Sequence, residues 1–314
     1  MGSEPLVCTP KSLPRERWVA AAKRAREINP VNHPPVERLM SIMPAFAPTP
    51  MHLAVLTTKY WGNKGVRLTV GFLDNAPADL RKKILEHMNA WAKWANVSFV
   101  ETKSSAQVRI ARQGGQNGGY WSYLGTDILE ISPSSPTMNL EAFTMQTSES
   151  EYKRVVRHET GHTLGFPHEH MRRQLVNKID RQKAIDFYMA DQGWSEAQVI
   201  RQVLTPIEEE SLLGTPNADP YSIMCYQVPG SITKDGKPII GGIDIDAEDA
   251  AFAASIYPKP TAAAAKRKKP KKRRKSKAKK RSKPKKRSKP KAKKRAKPKK
   301  RKRRAAKSRT RRRR

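Results

Sequence analysis

Four of the seven histidines in this 314-residue chain lie within thirteen residues, at positions 158, 162, 168 and 170. The first three belong to the pattern H-E-x-x-H-x-x-G-x-x-H, which runs from His158 to His168 and is typical of zinc-dependent hydrolytic sites. On a helix, His158 and His162 are four residues apart and share one face, so their imidazoles can bind the same metal ion.

The rest of the pattern completes the metal site. Gly165 can adopt a left-handed conformation that ends the helix and reverses the chain, which lets His168 supply a third nitrogen ligand. Three protein ligands leave a fourth position open for water, the arrangement of a catalytic Zn²⁺. Glu159 need not bind the ion and is placed to act as a general base toward that water. We therefore predict one catalytic zinc ion; the alternative is a chance cluster of histidines on the surface of a helix. We expect His170, which lies outside the motif, to face solvent.

The charge of the chain is concentrated at its C-terminal end. Residues 266–314 contain 35 of the 64 Lys and Arg residues and no Asp or Glu, so residues 1–265 carry 29 basic residues against 28 acidic ones. Prolines and like-charge repulsion in this tail predict disorder. A polycation of this density binds polyanions, and DNA or RNA is the partner that we expect for residues 266–314; a solubilising tail with no dedicated partner is the alternative.

The two cysteines, Cys8 and Cys225, allow at most one internal disulfide bond. Cys8 could bind the zinc as a thiolate in a latent form of the protein, or it could be an idle thiol near the N-terminus. We find no signal-peptide core and no apolar run long enough to cross a membrane. We therefore expect an intracellular protein, associated with nucleic acid through its tail, although export by a non-standard route would leave no recognisable mark.

Composition and periodicity divide the chain into three parts. Residues 1–57 form a Pro-rich extension, which acts as a linker or wraps the folded domain like a propeptide. Residues 58–258 form the folded domain, and residues 259–314 form the basic tail. Apolar residues alternate between Val66 and Phe72, which predicts a half-buried strand, whereas the helical spacing from Leu80 to Trp91 predicts a helix.

A second motif, Ser222-Ile223-Met224-Cys225-Tyr226, resembles the Met-turn of the metzincin peptidases. Together with Glu169 directly after the third histidine and the segment from Gly242 to Tyr257, it makes residues 58–258 similar to the catalytic domain of astacin-type peptidases. The resemblance implies an α+β metzincin (zincin) fold: a twisted, mostly parallel five-stranded sheet, an active-site helix above the cleft, and an irregular lower half that ends in a C-terminal helix.

The resemblance also implies roles for individual residues. Met224 would form a hydrophobic floor beneath the zinc, and Tyr226 would stabilise the oxyanion during turnover; a buried core tyrosine is the alternative for Tyr226. At position 225 this chain has a cysteine, where the family usually has a histidine. In secreted members the equivalent of Glu169 pairs with a newly cut N-terminus, and its partner in this chain is open.

Two functions from different classes are compatible with these features. One is a zinc-dependent metalloendopeptidase that cleaves protein or peptide substrates and is tethered to nucleic acid by its tail. The other is a nucleic-acid-binding architectural protein with a zinc domain that does not cut. The intact ligands, base and Met-turn favour the peptidase, while the substrate, the activation route and the oligomeric state cannot be read from the sequence.

Overall fold

A computed structural model describes residues 8–9, 11–34, 36, 41, 49–206 and 218–260. All described residues belong to one compact unit. Most of the basic tail, residues 261–314, lies outside the described residues, so its predicted disorder stays a prediction. Among the residues that the structure describes, no helix is both long enough and apolar enough to cross a membrane.

A five-stranded sheet forms the upper layer of the unit, as predicted. Its strands are β1 (Val66–Phe72), β2 (Val97–Glu101), β3 (Val108–Ala111), β4 (Tyr120–Ser122) and β5 (Met138–Leu140). They lie in the order β2-β1-β3-β5-β4. All neighbouring pairs are parallel except β4 and β5, so β4 is an antiparallel strand at the edge of a parallel sheet. The α+β class predicted from the sequence is therefore confirmed.

Helices cover the sheet and fill the rest of the unit. The described α-helices are α1 (Trp18–Ile28), α2 (Pro50–Leu56), α3 (Ala78–Met88), α4 (Glu149–Glu151), α5 (Arg157–Thr163), α6 (Arg173–Val176), α7 (Arg181–Gln192), α8 (Glu196–Val199) and α9 (Ala247–Ile256). A π-helical turn, Tyr152–Val156, joins α4 to α5, and another, Ile200–Leu204, continues α8. Irregular chain and short 3₁₀ turns make up most of the remainder.

Apolar periodicity explains why the first strand and α3 contribute to one hydrophobic core. Along β1, Val66, Leu68 and Val70 are buried and alternate with more exposed residues, because side chains of a strand point to opposite faces. On α3, Leu80 and Ile84 are one turn apart and fully buried. Both sets of side chains belong to the principal hydrophobic core, which supports the active-site helix.

The N-terminal extension packs onto the folded domain in its described part. The Asn32 side chain is fully buried, donates to the carbonyl of Tyr60 at 2.8 Å and accepts from the Tyr60 N–H at 2.9 Å. Arg24 of α1 bonds the Glu130 carboxylate at 2.8 Å. The described part of the extension therefore packs against the domain, and whether residues 1–57 act as a linker or as a propeptide stays a prediction.

Asp249 of helix α9 holds the turn that contains the Met-turn motif. Its buried carboxylate accepts from the Ser222 hydroxyl at 2.6 Å and from the Ile223 N–H at 2.9 Å. It also accepts from the Asp246 N–H at 3.2 Å. Burial raises the pKa of Asp249 to about 7, while the bonds from Ser222 and Ile223 oppose the rise. The position of the turn therefore depends on one carboxylate from the C-terminal helix.

We expect Asp249→Ala to lower the free energy of unfolding by about 2–4 kcal/mol, because it leaves buried donors without an acceptor. Chemical denaturation followed by circular dichroism measures this change. Glu248→Ala is the matched control, since Glu248 is the exposed neighbour on the same helix and its loss should cost no more than about 0.5 kcal/mol. Equal effects of the two substitutions would contradict the anchoring role.

Candidate metal centre and active site

A helix with two α-helical parts carries the first two histidines of the motif. It begins at α4, where the Ser148 hydroxyl caps the chain by accepting from the Glu151 N–H at 3.2 Å. The π-helical turn follows, with Val155 and Val156 fully buried in the core. Helix α5 then places His158 and His162 on one face, as their spacing predicts.

The three motif histidines converge on one point. The Nε2 atom of His168 lies 3.1 Å from Nε2 of His158 and 2.9 Å from Nε2 of His162. All three side chains are almost completely buried. Burial lowers the pKa of each imidazole, to about 4 for His162, so the rings are held in the neutral form that binds metal ions.

Backbone carbonyls orient two of these rings. His158 Nδ1 lies 2.6 Å from the Ile223 carbonyl, and His162 Nδ1 lies 2.8 Å from the Phe166 carbonyl. A carbonyl can only accept, so each Nδ1 must carry the proton and each Nε2 must present a lone pair. The turn fixed by Asp249 thus sets the orientation of a ligand on helix α5.

Gly165 ends the helix as predicted. Its φ is +95°, in the left-handed region that favours glycine. A Cβ at this position would approach the Lys59 carbonyl oxygen to 3.0 Å and the Tyr60 ring to 3.1 Å. Because the chain reverses here, His168 returns to face the two helical histidines.

Glu159 lies in the same buried region without an obvious structural task. Its side chain is fully buried, and neither carboxylate oxygen accepts a hydrogen bond of normal geometry from a described residue, although the Cys8 thiol lies close enough to interact with it. Burial raises the pKa of Glu159 to about 8, and the neighbouring Cys8 thiol opposes this rise. Burying a carboxyl group without a hydrogen bond costs folding free energy, and a chemical role for Glu159 explains why the protein keeps it there.

Met224 packs against the active-site helix. A Cβ added to Gly161, which lies between Glu159 and His162, would collide with the Met224 sulfur. Met224 is buried and belongs to the principal core. Glycine at this position of α5 therefore allows the thioether to approach the helix closely, in keeping with the hydrophobic floor that the motif suggests.

Tyr226 and His170 form a stacked pair beside the third ligand, so the expectation that His170 faces solvent was wrong. The His170 ring is fully buried and lies 3.9 Å from the Tyr226 ring, at an interplanar angle of 15°. Its Nε2–H donates to the Gln202 carbonyl at 3.0 Å. The Tyr226 ring also lies 4.4 Å from the His168 ring, so His170 fixes the plane of Tyr226 against a ligand.

The Tyr226 hydroxyl has no hydrogen-bond partner among the described residues. Burial raises the pKa of the Tyr226 hydroxyl well above its ordinary value, and the neighbouring Cys8 and Glu159 side chains raise it further through their negative charge when ionised. The group therefore stays a neutral O–H donor. A buried donor with no acceptor is an unusual core feature, and it favours the functional interpretation of Tyr226 over the core one.

Glu169 finds its partners nearby. It accepts from the Asp219 N–H at 3.1 Å and forms an ion pair with Arg172 at 3.4 Å. Burial raises the pKa of Glu169, although these two partners oppose the rise. The open question about its partner is thus answered for this form of the chain.

Cys8 is the unexpected member of the site. It is fully buried, and its Sγ lies with one nitrogen each of His158, His162 and His168 in a group whose atoms are all within 4.8 Å of one another. Burial raises the pKa of the Cys8 thiol well above its ordinary value, and Glu159 raises it further. The sequence offered this position only as one alternative, because nothing in the spacing connects residue 8 with residue 158.

The three histidines fit a zinc ion. Nitrogen ligands about 2.0–2.1 Å from a tetrahedral zinc are about 3.3–3.4 Å apart, close to the 2.9 and 3.1 Å between the Nε2 atoms. The protons on Nδ1 of His158 and His162 leave their converging Nε2 atoms with lone pairs only, which repel unless a cation lies between them. The arrangement can hold one divalent ion beside a free carboxylate and a free phenol.

Sequence reasoning missed the supports of this site. The carbonyls of Ile223 and Phe166 carry no side-chain signal, and Asp249 is one acidic residue in an ordinary helix start. His170 was visible in the histidine cluster, but its burial depends on helix α8 and its π-helical extension, which supply the Gln202 carbonyl.

Comparisons with known proteins agree with this geometry. A sequence profile of the peptidase family described as Astacin matches residues 55–234. The chain is 31% identical over 99 residues to the zinc metalloproteinase nas-27 of Caenorhabditis elegans, a match that covers 31% of this chain and 20% of the nematode protein. Two structures of myroilysin are each 30% identical to this chain. The first has a TM-score of 0.60, and the match covers 65% of this chain and 97% of that structure. The second has a TM-score of 0.50, and the match covers 64% of this chain and 86% of that structure.

We expect His168→Ala to weaken zinc binding by more than about 100-fold, beyond the loss that follows removal of a supporting residue. The zinc-dependent part of the stability should fall by about 2.7 kcal/mol for each 100-fold loss of affinity. Chelator competition and thermal unfolding with and without zinc measure both effects. His33→Ala, at an exposed histidine outside the site, is the control, and unchanged affinity in His168→Ala would show that the third ligand is misassigned.

Proposed function

Because the chain belongs to the astacin family of zinc endopeptidases, we propose that residues 58–258 hydrolyse peptide bonds in protein substrates with one zinc ion. The observation that carries this proposal is the convergence of three imidazole Nε2 atoms beside the unpaired carboxylate of Glu159. The three ligands are His158, His162 and His168.

A zinc ion held by His158, His162 and His168 would polarise the scissile carbonyl and lower the pKa of the attacking water. Glu159 accepts the proton of that water and returns it to the leaving amine. Burial raises the pKa of Glu159, whereas a neighbouring cation would lower it again, so both effects together would hold the group where it can accept and then donate a proton. Apart from the Cys8 thiol, the structure provides no hydrogen-bond partner to compete for its oxygens among the described residues.

Tyr226 supplies the donor for the developing oxyanion in this proposal. Its hydroxyl is neutral, buried and free, and its ring is held between His170 and His168. A donor oriented before the reaction needs no reorganisation when charge develops, which is why one such group contributes about 3–4 kcal/mol to catalysis. His170 acts here as a positioning residue.

We expect Glu159→Gln to keep one zinc per chain and to lose nearly all peptide hydrolysis, because the amide cannot accept the proton. Zinc content is measured by elemental analysis and hydrolysis by a peptide-library digest. The hydrolysis rate of the unmodified chain is the reference, even if that rate is slow. Glu196→Gln, at an exposed glutamate on α8, serves as the control. Full activity in Glu159→Gln would remove the proposed mechanism, and zinc bound without any cleavage by the unmodified or an activated chain would favour the non-cutting alternative.

The polybasic tail supports a second part of the proposal, a tether to nucleic acid. Residues 266–314 carry a charge of +35 and residues 1–265 a charge of +1. Lys and Arg side chains release counterions from phosphates without reading base sequence. We expect this tether to keep the peptidase wherever nucleic acid is present in the cell, so that substrates are proteins bound to the same polymer.

Removal of residues 266–314 should abolish DNA binding and leave peptide hydrolysis unchanged. If about ten phosphates are engaged, the logarithm of the affinity of the whole chain should fall with the logarithm of the salt concentration at a slope of about −9. Fluorescence anisotropy across a salt series measures this slope, and a peptide assay on both chains provides the control. Salt-insensitive DNA binding by the shortened chain would contradict the tether.

A further inference from the structure

We propose that Cys8 is a fourth zinc ligand and that its segment holds the active site closed, so that the chain as it stands is a latent enzyme. This inference rests on the proposed zinc peptidase function. It assigns to the N-terminal extension a task that the catalytic residues do not need, because three histidines already satisfy the requirement for a catalytic zinc.

The ligand set of the closed site would be one thiolate and three imidazoles. The Cys8 Sγ and one nitrogen of each histidine all lie within 4.8 Å of one another, and all four residues are buried. A cysteine and three histidines that surround a single point form a closed tetrahedral set, with no position left for water or substrate.

The chain around Cys8 occupies the free edge of the sheet. Cys8 is paired with Tyr120 and Lys11 with Tyr123, both in parallel orientation. The Thr9 N–H donates to the Tyr120 carbonyl at 3.0 Å. An extended peptide that enters a cleft commonly binds by adding a strand to an exposed edge, and at β4 this segment already fills that place.

Several contacts hold the segment at this edge. The Lys11 ammonium group lies 4.9 Å from the centre of the Trp121 ring, Leu13 is buried, and the Trp18 indole N–H donates to the Leu13 carbonyl at 2.7 Å. Helix α1 then follows and is fixed to the domain through Arg24 and Glu130. The thiol is therefore presented to the histidines by an ordered structure and not by a loose terminus.

The sulfur ligand can be detected without any measurement of activity. X-ray absorption at the zinc edge should show one sulfur at about 2.3 Å and nitrogen at about 2.0–2.1 Å in the zinc-loaded full chain. Cys8→Ser should lose the sulfur signal and keep the zinc. Cys225→Ala is the matched control, because Cys225 is the other buried thiol and lies outside the four-residue group; its loss should leave the signal intact.

Activity tests whether the segment closes the site. A closed form whose open state is populated at about 0.1–10% gains about 10- to 1000-fold when the closure is removed. We expect Cys8→Ser to hydrolyse peptides faster than the unmodified chain. Cys8→Ser combined with Thr9→Pro, which also removes the N–H that bonds Tyr120, should be faster still. Adding Glu159→Gln should return both to background.

The outcomes separate this inference from the proposed function. A sulfur signal that survives Cys8→Ser, or no gain in hydrolysis in either variant, would overturn the latch while a zinc bound by the three histidines still supports the peptidase. Absence of zinc from every chain would instead overturn the peptidase proposal, and the latch with it.

Discussion

The site depends on one electrostatic constraint: three buried imidazole rings converge, and the two on α5 present nitrogen lone pairs toward the third. The converging nitrogens of His158, His162 and His168 can remain there only because the fold prevents them from turning away. Carbonyl groups of Ile223 and Phe166 fix two rings, and the left-handed turn at Gly165 fixes the approach of the third. A cation at this point would offset the repulsion between the lone pairs of His158 and His162.

This constraint explains what each of the two layers of the domain contributes to the site. The sheet and the principal core hold the helix that carries His158 and His162, whereas the lower half provides the carbonyl and aromatic groups that surround the metal from below. Asp249 joins the halves, because it binds the same turn that orients His158. A change far from the metal in sequence can thus alter the metal site through a single carboxylate.

Local patterns predicted local features well. The residue spacing from His158 to His168 predicted which histidines converge, and alternation along β1 predicted a strand. Features that depend on distant partners could not be predicted in this way: β5 has only three residues, the burial of His170 depends on the Gln202 carbonyl, and Cys8 reaches the histidines only because its segment pairs with β4. The edge strand β4 and the Cys8 thiol are brought together only when the chain is folded.

Tyr257 joins two parts of the domain that lie far apart in the sequence. Its hydroxyl accepts from the Trp61 N–H at 3.0 Å and donates to the Leu164 carbonyl, so it joins the entry of the domain to the end of the active-site helix. The loss of this one hydroxyl would therefore loosen two distant parts of the domain together, the approach of the chain at Trp61 and the turn that leads to His168.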